Sequence, residues 1–533
     1  MILPAVPDRA LTELGRTEGG PETLGLLLRD QHTRRLLLLR AVLDAVETAD
    51  TAVCSTGARA RLGEDWGLLE EADRVEPPVR PAAWAYEGGS APTPEDGTDA
   101  GSASAAYEGV EAPTPTDGVP GGPASMPGSE SALAGPPLSP VRALLLNPFV
   151  GPWARHCLRG LGAGTRPRTE WEARELGRDL AYFGALAAVA AARADVPYAV
   201  RLIARDGVLT LPSLGALRTA APGDAHVDVV HRRQSLTLRQ RGEKDIVVRL
   251  QSGGVGAWSE AAAWTPAHAL PGLLPGSEPV PLDDLDPYRT VRGGPRHHEL
   301  SGPVILDDAE RKRWLQSWSG TASVLRLGGE QRVTEAVALM RCLVPLSAPS
   351  GSTPGGRTTG SCSGTRREAF GAVLSSTPPT ATTFAATLVH ELQHSKLAAL
   401  SDMLTLHHAG PQARYFAPWR PDPRPYDGLL QGAYSHLALA DFFQRCALAI
   451  THPARRDAAW AQHARYQQQV GAVLPTLVGS GDLTPQGRRF VDQMVAVYER
   501  LAEHPAPRGQ AARAEAYVRA ARALWTQRHA PGE

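Results

Sequence analysis

Residues 383–407 read TFAATLVHELQHSKLAALSDMLTLH, with the apolar spacing of a largely buried helix. Within this stretch, HELQH at 390–394 matches the pattern H-E-x-x-H. Two histidines four residues apart on a helix lie about 40° apart around its axis, so both rings can reach one metal ion. Glu391 projects near the same site. The alternative is a functionless pair of surface histidines, but flanking residues such as Leu388 and Leu392 indicate burial, where imidazoles need partners.

The composition excludes several classes of protein. A length of 533 residues allows two or three domains, and a net charge of -1 argues against a nucleic-acid-coating surface. We find no apolar run of about 18 residues, which a transmembrane helix would need, and no signal peptide. The five cysteines are scattered and lack C-x-x-C spacing, which is typical of a reducing cytoplasm and argues against a Cys-held iron–sulfur cluster. We therefore expect a cytoplasmic protein that binds neither nucleic acid nor membrane.

The chain divides into four predicted parts. Residues 1–85 form an N-terminal helical region, and 86–140 form a disordered Gly/Pro/Ser-rich insert that repeats AYEG..APTP.DG. Residues 141–305 combine helices with a small, mostly antiparallel β region at about 198–270, a possible place for a peptide to bind. Residues 306–533 form a helical, metal-binding catalytic region. The fold class is thus α+β and mainly helical in its catalytic part. The predicted helices are 22–49, 171–195, 307–320, 330–345, 380–406, 428–450, 455–475, 486–502 and 508–527.

A catalytic metal usually takes a third protein ligand besides His390 and His394. The extended form of the motif fails, because Leu397 and Leu400 stand where it needs Gly and His. His436 is the candidate third ligand, and it lies on an apolar helix that follows a Pro-rich loop.

Other assignments at this site remain open. His436 could instead be a buried structural histidine bonded to a backbone carbonyl. Asp441 is another candidate ligand, and Asp402 could orient a ligand histidine.

Two arginines downstream of the motif are candidates for binding a carboxylate. The Pro-rich segment RYFAPWRPDPRP (414–425) presents Arg420 and Arg424 at fixed offsets. Pairing of these arginines with Asp422 or Asp427 is an equally good interpretation. Lys396, one of only three lysines, follows the motif by two residues.

The segment PLDDLDPYR (281–289) has three carboxylates within four positions. They could bind a divalent cation. The favoured interpretation is a turn whose Asp side chains accept hydrogen bonds from nearby backbone N–H groups.

Taken together, several segments resemble one family, the HExxH-motif-containing peptide-modification proteins of actinobacteria. The resemblance runs from about residue 20 to 520, without the insert. Its segments are LLLNPFVGPWARHCLR, PLDDLDPYR, TRREAFGAV, TLVHELQHSKLAALSD and YFAPWRPDPRPYDGLLQGAYSHLALADFF.

The resemblance implies an iron(II)- and 2-oxoglutarate-dependent enzyme that hydroxylates Cβ of a residue in a ribosomally made precursor peptide. Iron would be held by His390, His394 and His436, and 2-oxoglutarate by Arg420, Arg424 or Lys396. A radical enzyme of the same gene cluster is an implied partner. A three-histidine set departs from the usual two histidines and one carboxylate of such sites.

Two other functions compete with this one. The bare motif favours a zinc endopeptidase, such as a leader peptidase, in which Glu391 is the general base. A peptide-binding protein with a vestigial site is the third hypothesis, with strand addition at the β region. The intact HELQH argues against it.

Overall fold

The structure is a computed structural model that describes residues 6–75, 139–162, 169–251, 254–290, 302–348 and 362–529. Met1–Pro77 and Pro137–Glu533 cluster into one compact unit. The insert predicted at 86–140 lies outside the described residues except for its last two positions. The boundaries of the four predicted parts stay predictions.

Helices make up most of the described chain. They are, in order, α1 (Asp8–Gly15), α2 (Pro21–Thr48), α3 (Thr56–Asp73), α4 (Pro140–Leu145), α5 (Val150–Leu161), α6 (Glu170–Arg193), α7 (Asp308–Trp318), α8 (Thr321–Leu327), α9 (Glu330–Leu339), α10 (Ala381–Met403), α11 (Tyr426–Ala449), α12 (Pro453–Gly471), α13 (Leu474–Val478), α14 (Pro485–Arg500) and α15 (Arg508–His529). A single 3-10 turn, Leu501–Glu503, follows α14.

The strands of the described residues form three small sheets. They are β1 (Tyr198–Ala204), β2 (Val208–Leu211), β3 (Gly215–Arg218), β4 (Ala225–Arg232), β5 (Ser235–Arg239), β6 (Ile246–Leu250), β7 (Ala257–Trp258), β8 (Trp264–Pro266), β9 (His268–Leu270), β10 (Val280–Leu282), β11 (Cys342–Leu346), β12 (Ser363–Thr365) and β13 (Ala372–Ser376). The sheet orders are β1-β4-β5-β6-β7, β2-β3-β8 and β12-β13-β11-β10-β9. The first two sheets are antiparallel. The third is mixed, with β11 parallel to both β10 and β13.

The prediction of an α+β fold with a small, mostly antiparallel β region is confirmed for the fold class. The predicted β region at 198–270 coincides with β1 to β9. The helix predicted at 330–345 is wrong in its second half, since α9 ends at Leu339 and Cys342–Leu346 is the strand β11. All five residues of β11 are buried, and a short apolar run without alternation cannot be distinguished from helix by its periodicity.

The mixed sheet lies between two hydrophobic cores. Leu343 of β11 and Val373 of β13 face the core that contains α10 and α11. Their neighbours Val344 and Leu374 face the other core, which is built on α6 and the first sheet. Since side chains alternate along a strand, the two strands supply both cores at once. This arrangement brings β12 and β13 against α10.

Among the described helices, none combines the length and the apolar character that a membrane span requires.

Candidate metal centre

The HELQH segment lies in the middle of α10. Thr380 caps the helix, because its side-chain oxygen accepts a hydrogen bond from the backbone N–H of Thr383 at 3.1 Å. Phe384, Leu388 and Leu392 are buried along the helix and anchor it in the core. The helix is therefore fixed at both its start and its apolar face, and this fixes the direction of the histidines.

His390 and His394 point toward each other. Their Nε2 atoms are 3.1 Å apart, and the ring planes meet at 84°. Two nitrogen ligands about 2.1 Å from one ion lie about 3.0 Å apart at a right angle and about 3.4 Å apart in a tetrahedral site. The pair thus has the separation that a shared ion requires. The His390 side chain is 25 % exposed, so the pair is accessible from solvent.

His436 of α11 lies beside this pair. Its ring centroid is 5.6 Å from that of His390, and its buried Nδ1 has no hydrogen-bond partner among the residues that the structure describes. Burial, with the charges of His394 and Arg465, lowers the pKa of His436 to about 3. Burial also holds the pKa of His390 well below its usual range, with the neighbouring histidines adding to the effect. Neutral imidazoles are the form that binds metals.

His390, His394 and His436 do not form a complete three-ligand metal site in this structure. Among the described residues, no group of three His, Cys, Asp or Glu side chains stands close enough to hold one ion as drawn. The His390–His394 pair has the spacing of two ligands of one ion, and His436 lies beside the pair without completing a set of three.

Gln431 fixes the orientation of His394. Its side-chain oxygen lies 3.1 Å from His394 Nδ1. An Nδ1–H that donates to this oxygen leaves the lone pair on Nε2, which faces His390. Gln431 lies on α11 with His436, so this helix contributes both a candidate ligand and an acceptor that positions another.

Glu391 lies under the edge of the mixed sheet. The hydroxyl of Ser363 on β12 donates to Glu391 Oε1 at 2.7 Å. Burial raises the pKa of Glu391, while the charge of His394 and hydrogen bonds from Ser363 and Thr365 lower it. The second oxygen, Oε2, is buried and accepts no hydrogen bond in the described structure. A water or substrate group beside it would satisfy this atom.

Aromatic rings enclose His436. The ring of Trp419 meets it edge to face at 4.5 Å, and Tyr466 lies at 5.1 Å. Trp419 approaches α11 closely at Gly432, where an added Cβ would lie 2.4 Å from the indole. Glycine is therefore needed at this position for the loop to reach His436.

The same loop carries the two candidate arginines. Backbone hydrogen bonds between Tyr415 and Arg424 close the loop at 2.8 and 2.9 Å. Arg420 and Arg424 are close enough that, after burial, the charge of Arg424 lowers the pKa of Arg420. Arg420 also lies 4.0 Å from Asp422, the acidic neighbour anticipated from the sequence. The loop thus presents two cations next to the Trp419 that covers His436.

Lys396, the third basic residue considered for 2-oxoglutarate, does not lie with the two loop arginines. Its Nζ is fully buried, 2.7 Å from Glu335 Oε1 and 3.0 Å from the carbonyl oxygen of Thr17. Two residues along a helix correspond to about 200° around the axis, so Lys396 faces away from His394. This position does not support a role in 2-oxoglutarate binding, and the contacts of Lys396 join α10 to α9 and the N-terminal segment.

The two aspartates considered beside His436 are engaged elsewhere. Asp441 forms ion pairs with three arginines, Arg332, Arg445 and Arg500. Asp402 pairs with Arg367 at 2.6 Å and accepts a hydrogen bond from Gln31.

The three carboxylates of the segment at 281–289 accept hydrogen bonds from backbone N–H groups. Asp283 Oδ1 accepts the N–H of Asp286 at 3.0 Å, Asp286 Oδ1 accepts the N–H of Tyr288 at 2.7 Å, and Asp284 accepts that of Leu306 at 2.9 Å. The turn interpretation describes the contacts of Asp283 and Asp286, whereas Asp284 bonds to a residue 22 positions away.

Gln431, Ser363 and Trp419 were not singled out from the sequence. Gln431 lies five positions before His436, about 140° away around the helix, so helical spacing does not indicate it. Ser363 belongs to a Gly/Ser/Thr-rich stretch whose contact with Glu391 depends on the packing of distant segments. No family model matches the chain, and no curated protein is detectably similar to it.

Proposed function

We propose that the protein is an iron(II)- and 2-oxoglutarate-dependent hydroxylase that acts at Cβ of a residue in a ribosomally made precursor peptide. The observation that carries the proposal is the His390–His394 pair, with Nε2 atoms 3.1 Å apart and the buried ring of His436 beside it. The resemblance of the flanking segments adds the choice of chemistry.

Iron would be held by His390, His394 and His436, and would supply the activation of dioxygen when bound. In the net reaction, a peptide C–H, dioxygen and 2-oxoglutarate give a peptide C–OH, succinate and carbon dioxide. One oxygen atom enters the peptide and the other enters succinate, so the two electrons that dioxygen still requires come from the oxidation of 2-oxoglutarate.

The remaining side chains bind, orient and exclude water. Arg420 and Arg424 would bind the two carboxylates of 2-oxoglutarate, since guanidinium groups bind carboxylates through paired hydrogen bonds. Trp419 and Tyr466 keep water from one side of His436. Glu391, held by Ser363, orients the substrate or a water through its second oxygen.

A zinc endopeptidase is the second candidate, and one observation favours it. Glu391 Oε1 lies 4.0 Å from His390 Nε2, near enough for the carboxylate to deprotonate a water that attacks a peptide bond. The pair of loop arginines favours the hydroxylase, because a dicarboxylate cosubstrate needs such cations and peptide hydrolysis does not.

The test is a mass measurement on precursor peptides encoded next to the gene. The protein is purified without oxygen, then supplied with iron(II), 2-oxoglutarate and air. We expect a gain of one oxygen atom that depends on 2-oxoglutarate and is lost in His390→Ala. Cleavage with zinc alone, without 2-oxoglutarate, would contradict the proposal. Glu391→Gln keeps an oxygen for Ser363, and should abolish a peptidase while only slowing a hydroxylase.

A further inference from the structure

The strand β12 forms one edge of the mixed sheet, next to the candidate metal centre. Among the described strands it pairs with β13 alone, in the register Ser363↔Ser375, Gly364↔Leu374 and Thr365↔Val373. Its three residues are half-buried. An edge of this kind presents backbone groups that another chain can use.

The register shows which backbone groups face outward. The N–H of Ser376 donates to the carbonyl of Cys362 at 2.9 Å, which makes that pair hydrogen-bonded. Hydrogen-bonded pairs alternate along an antiparallel ladder, so the next one is Gly364 with Leu374. The N–H and C=O groups of Ser363 and Thr365 therefore point away from β13. Within the described part of the chain, no backbone group from another segment bonds to them.

The side chains of the same two residues point at the centre. Ser363 and Thr365 are two apart, so they share one face of the sheet. That face meets α10, where both hydroxyls interact with Glu391. The strand β12 therefore presents outward backbone groups and, through its side chains, contacts Glu391 between the two histidines.

We propose that β12 is the docking edge for an extended segment of the substrate peptide, which adds to the sheet as an antiparallel strand. The inference rests on the proposed function and specifies how that site takes its substrate. Ser363 and Thr365 offer two donors and two acceptors spaced for alternate peptide residues, a pattern that a peptide backbone matches.

The register also determines which peptide side chains reach the centre. Residues that face each other across an antiparallel pair project to the same side of the sheet. Peptide residues opposite Ser363 and Thr365 therefore turn their Cβ atoms toward Glu391 and the histidines. The residue opposite Gly364 turns its side chain away. Strand addition thus presents a Cβ position to the metal centre.

A pair of variants isolates one outward N–H. Thr365→Pro removes it together with the hydroxyl, whereas Thr365→Val removes only the hydroxyl. Proline is tolerated on an edge strand when its nitrogen faces outward, so the β13 ladder stays intact. The probe is a peptide selected from a displayed library of random linear peptides on the zinc-loaded full chain. We expect Thr365→Pro to bind it about five- to tenfold more weakly than Thr365→Val does.

A second measurement uses the wild-type protein and so does not depend on the folding of a variant. The selected peptide is N-methylated at one position at a time, and its affinity is followed by fluorescence anisotropy. Strand addition predicts loss of affinity at every second position of the bound segment. Equal binding by the two variants, or an N-methyl profile without this alternation, overturns the proposal. So does a proline-sensitive dimer of the chain that excludes peptide.

These assays contain neither 2-oxoglutarate nor iron. Failure of strand addition is therefore distinguished from failure of the proposed oxidation, which is judged by oxygen gain.

Discussion

The side-chain oxygen of Gln431 lies 3.1 Å from Nδ1 of His394, across the contact between α11 and α10. One residue of α11 thereby selects the tautomer of a histidine on α10. His436 lies on the same helix, a little over one turn further on. Metal affinity should therefore depend on how the two helices pack, in addition to the identity of the ligands.

Replacement of Gln431 tests this dependence. Gln431→Leu removes the acceptor, and we expect affinity for cobalt(II) or zinc to fall about 10- to 100-fold. Gln431→Glu keeps an acceptor and should bind metal at least as well as wild type. Gln444→Leu is the matched control, because Gln444 lies on α11 but donates to the carbonyl oxygens of Leu501 and His504. It should lower stability and leave metal affinity unchanged. Wild-type affinity in Gln431→Leu would show that this contact has no role in metal binding.

The loop arginines should affect the cosubstrate selectively. At least one of Arg420→Ala and Arg424→Ala should raise the KM for 2-oxoglutarate about 10- to 100-fold, because a charge-assisted hydrogen bond to a carboxylate is lost. The rate at saturating cosubstrate should change less. Succinate formation measures both quantities. Arg414→Ala, an exposed loop arginine that stacks on Tyr415, is the control and should retain the wild-type KM. An unchanged KM in both variants would remove the loop from cosubstrate binding.

Lys396 should matter for stability alone. Its buried ammonium pairs with Glu335, so Lys396→Met leaves a buried carboxylate with one fewer cation. We expect the free energy of unfolding to fall by about 3–5 kcal/mol in urea titrations. Adding Glu335→Gln should recover part of that loss. The KM for 2-oxoglutarate should stay at the wild-type value, and a large rise would return Lys396 to the cosubstrate site.

The buried carboxyl group of Asp286 predicts a pH dependence of stability. Asp286 accepts hydrogen bonds from the hydroxyl of Tyr182 at 2.5 Å and the N–H of Tyr288. Burial, together with the charge of Asp283, raises the pKa of Asp286 to about 7. The folded state therefore holds this proton more tightly than the unfolded state does, where the pKa is about 4. Stability from this group is complete below about pH 4 and is lost as the pH rises through about 7.

Asp286→Asn cannot ionise and should flatten this dependence. Urea unfolding between about pH 4 and pH 8 measures it. We expect the free energy of unfolding to fall less with rising pH in the variant than in wild type. Parallel curves for the two proteins would mean that Asp286 does not carry the effect.

The helices of the centre were predictable because their signals are local. The predicted helices at 380–406 and 428–450 correspond to α10, Ala381–Met403, and α11, Tyr426–Ala449. Long apolar periodicity indicates both helices, and Thr380 caps the first of them. Helical spacing brings His390 and His394 together, and it also turns Lys396 to the opposite face.

The short strands and the contacts that position Glu391 and His394 were not predictable, because they depend on segments that are distant in the sequence. The strands β11 to β13 are three to five residues long, and their identity comes from pairing with one another. The contacts of Ser363 with Glu391 and of Gln431 with His394 join residues 28 and 37 positions apart. Such pairs follow from the packing of α10 between the sheet edge and α11, which no local pattern encodes.

The most direct test of the three-histidine centre compares metal binding in two histidine variants. His436→Ala removes the candidate third ligand, whereas His463→Ala removes another buried histidine, whose Nδ1 bonds to the carbonyl of Ala440 on α11. Cobalt(II) binding is followed by its visible absorption. The three-histidine centre predicts one ion per chain in wild type and in His463→Ala, with an altered spectrum and much weaker binding in His436→Ala. The wild-type spectrum and affinity in His436→Ala would contradict it.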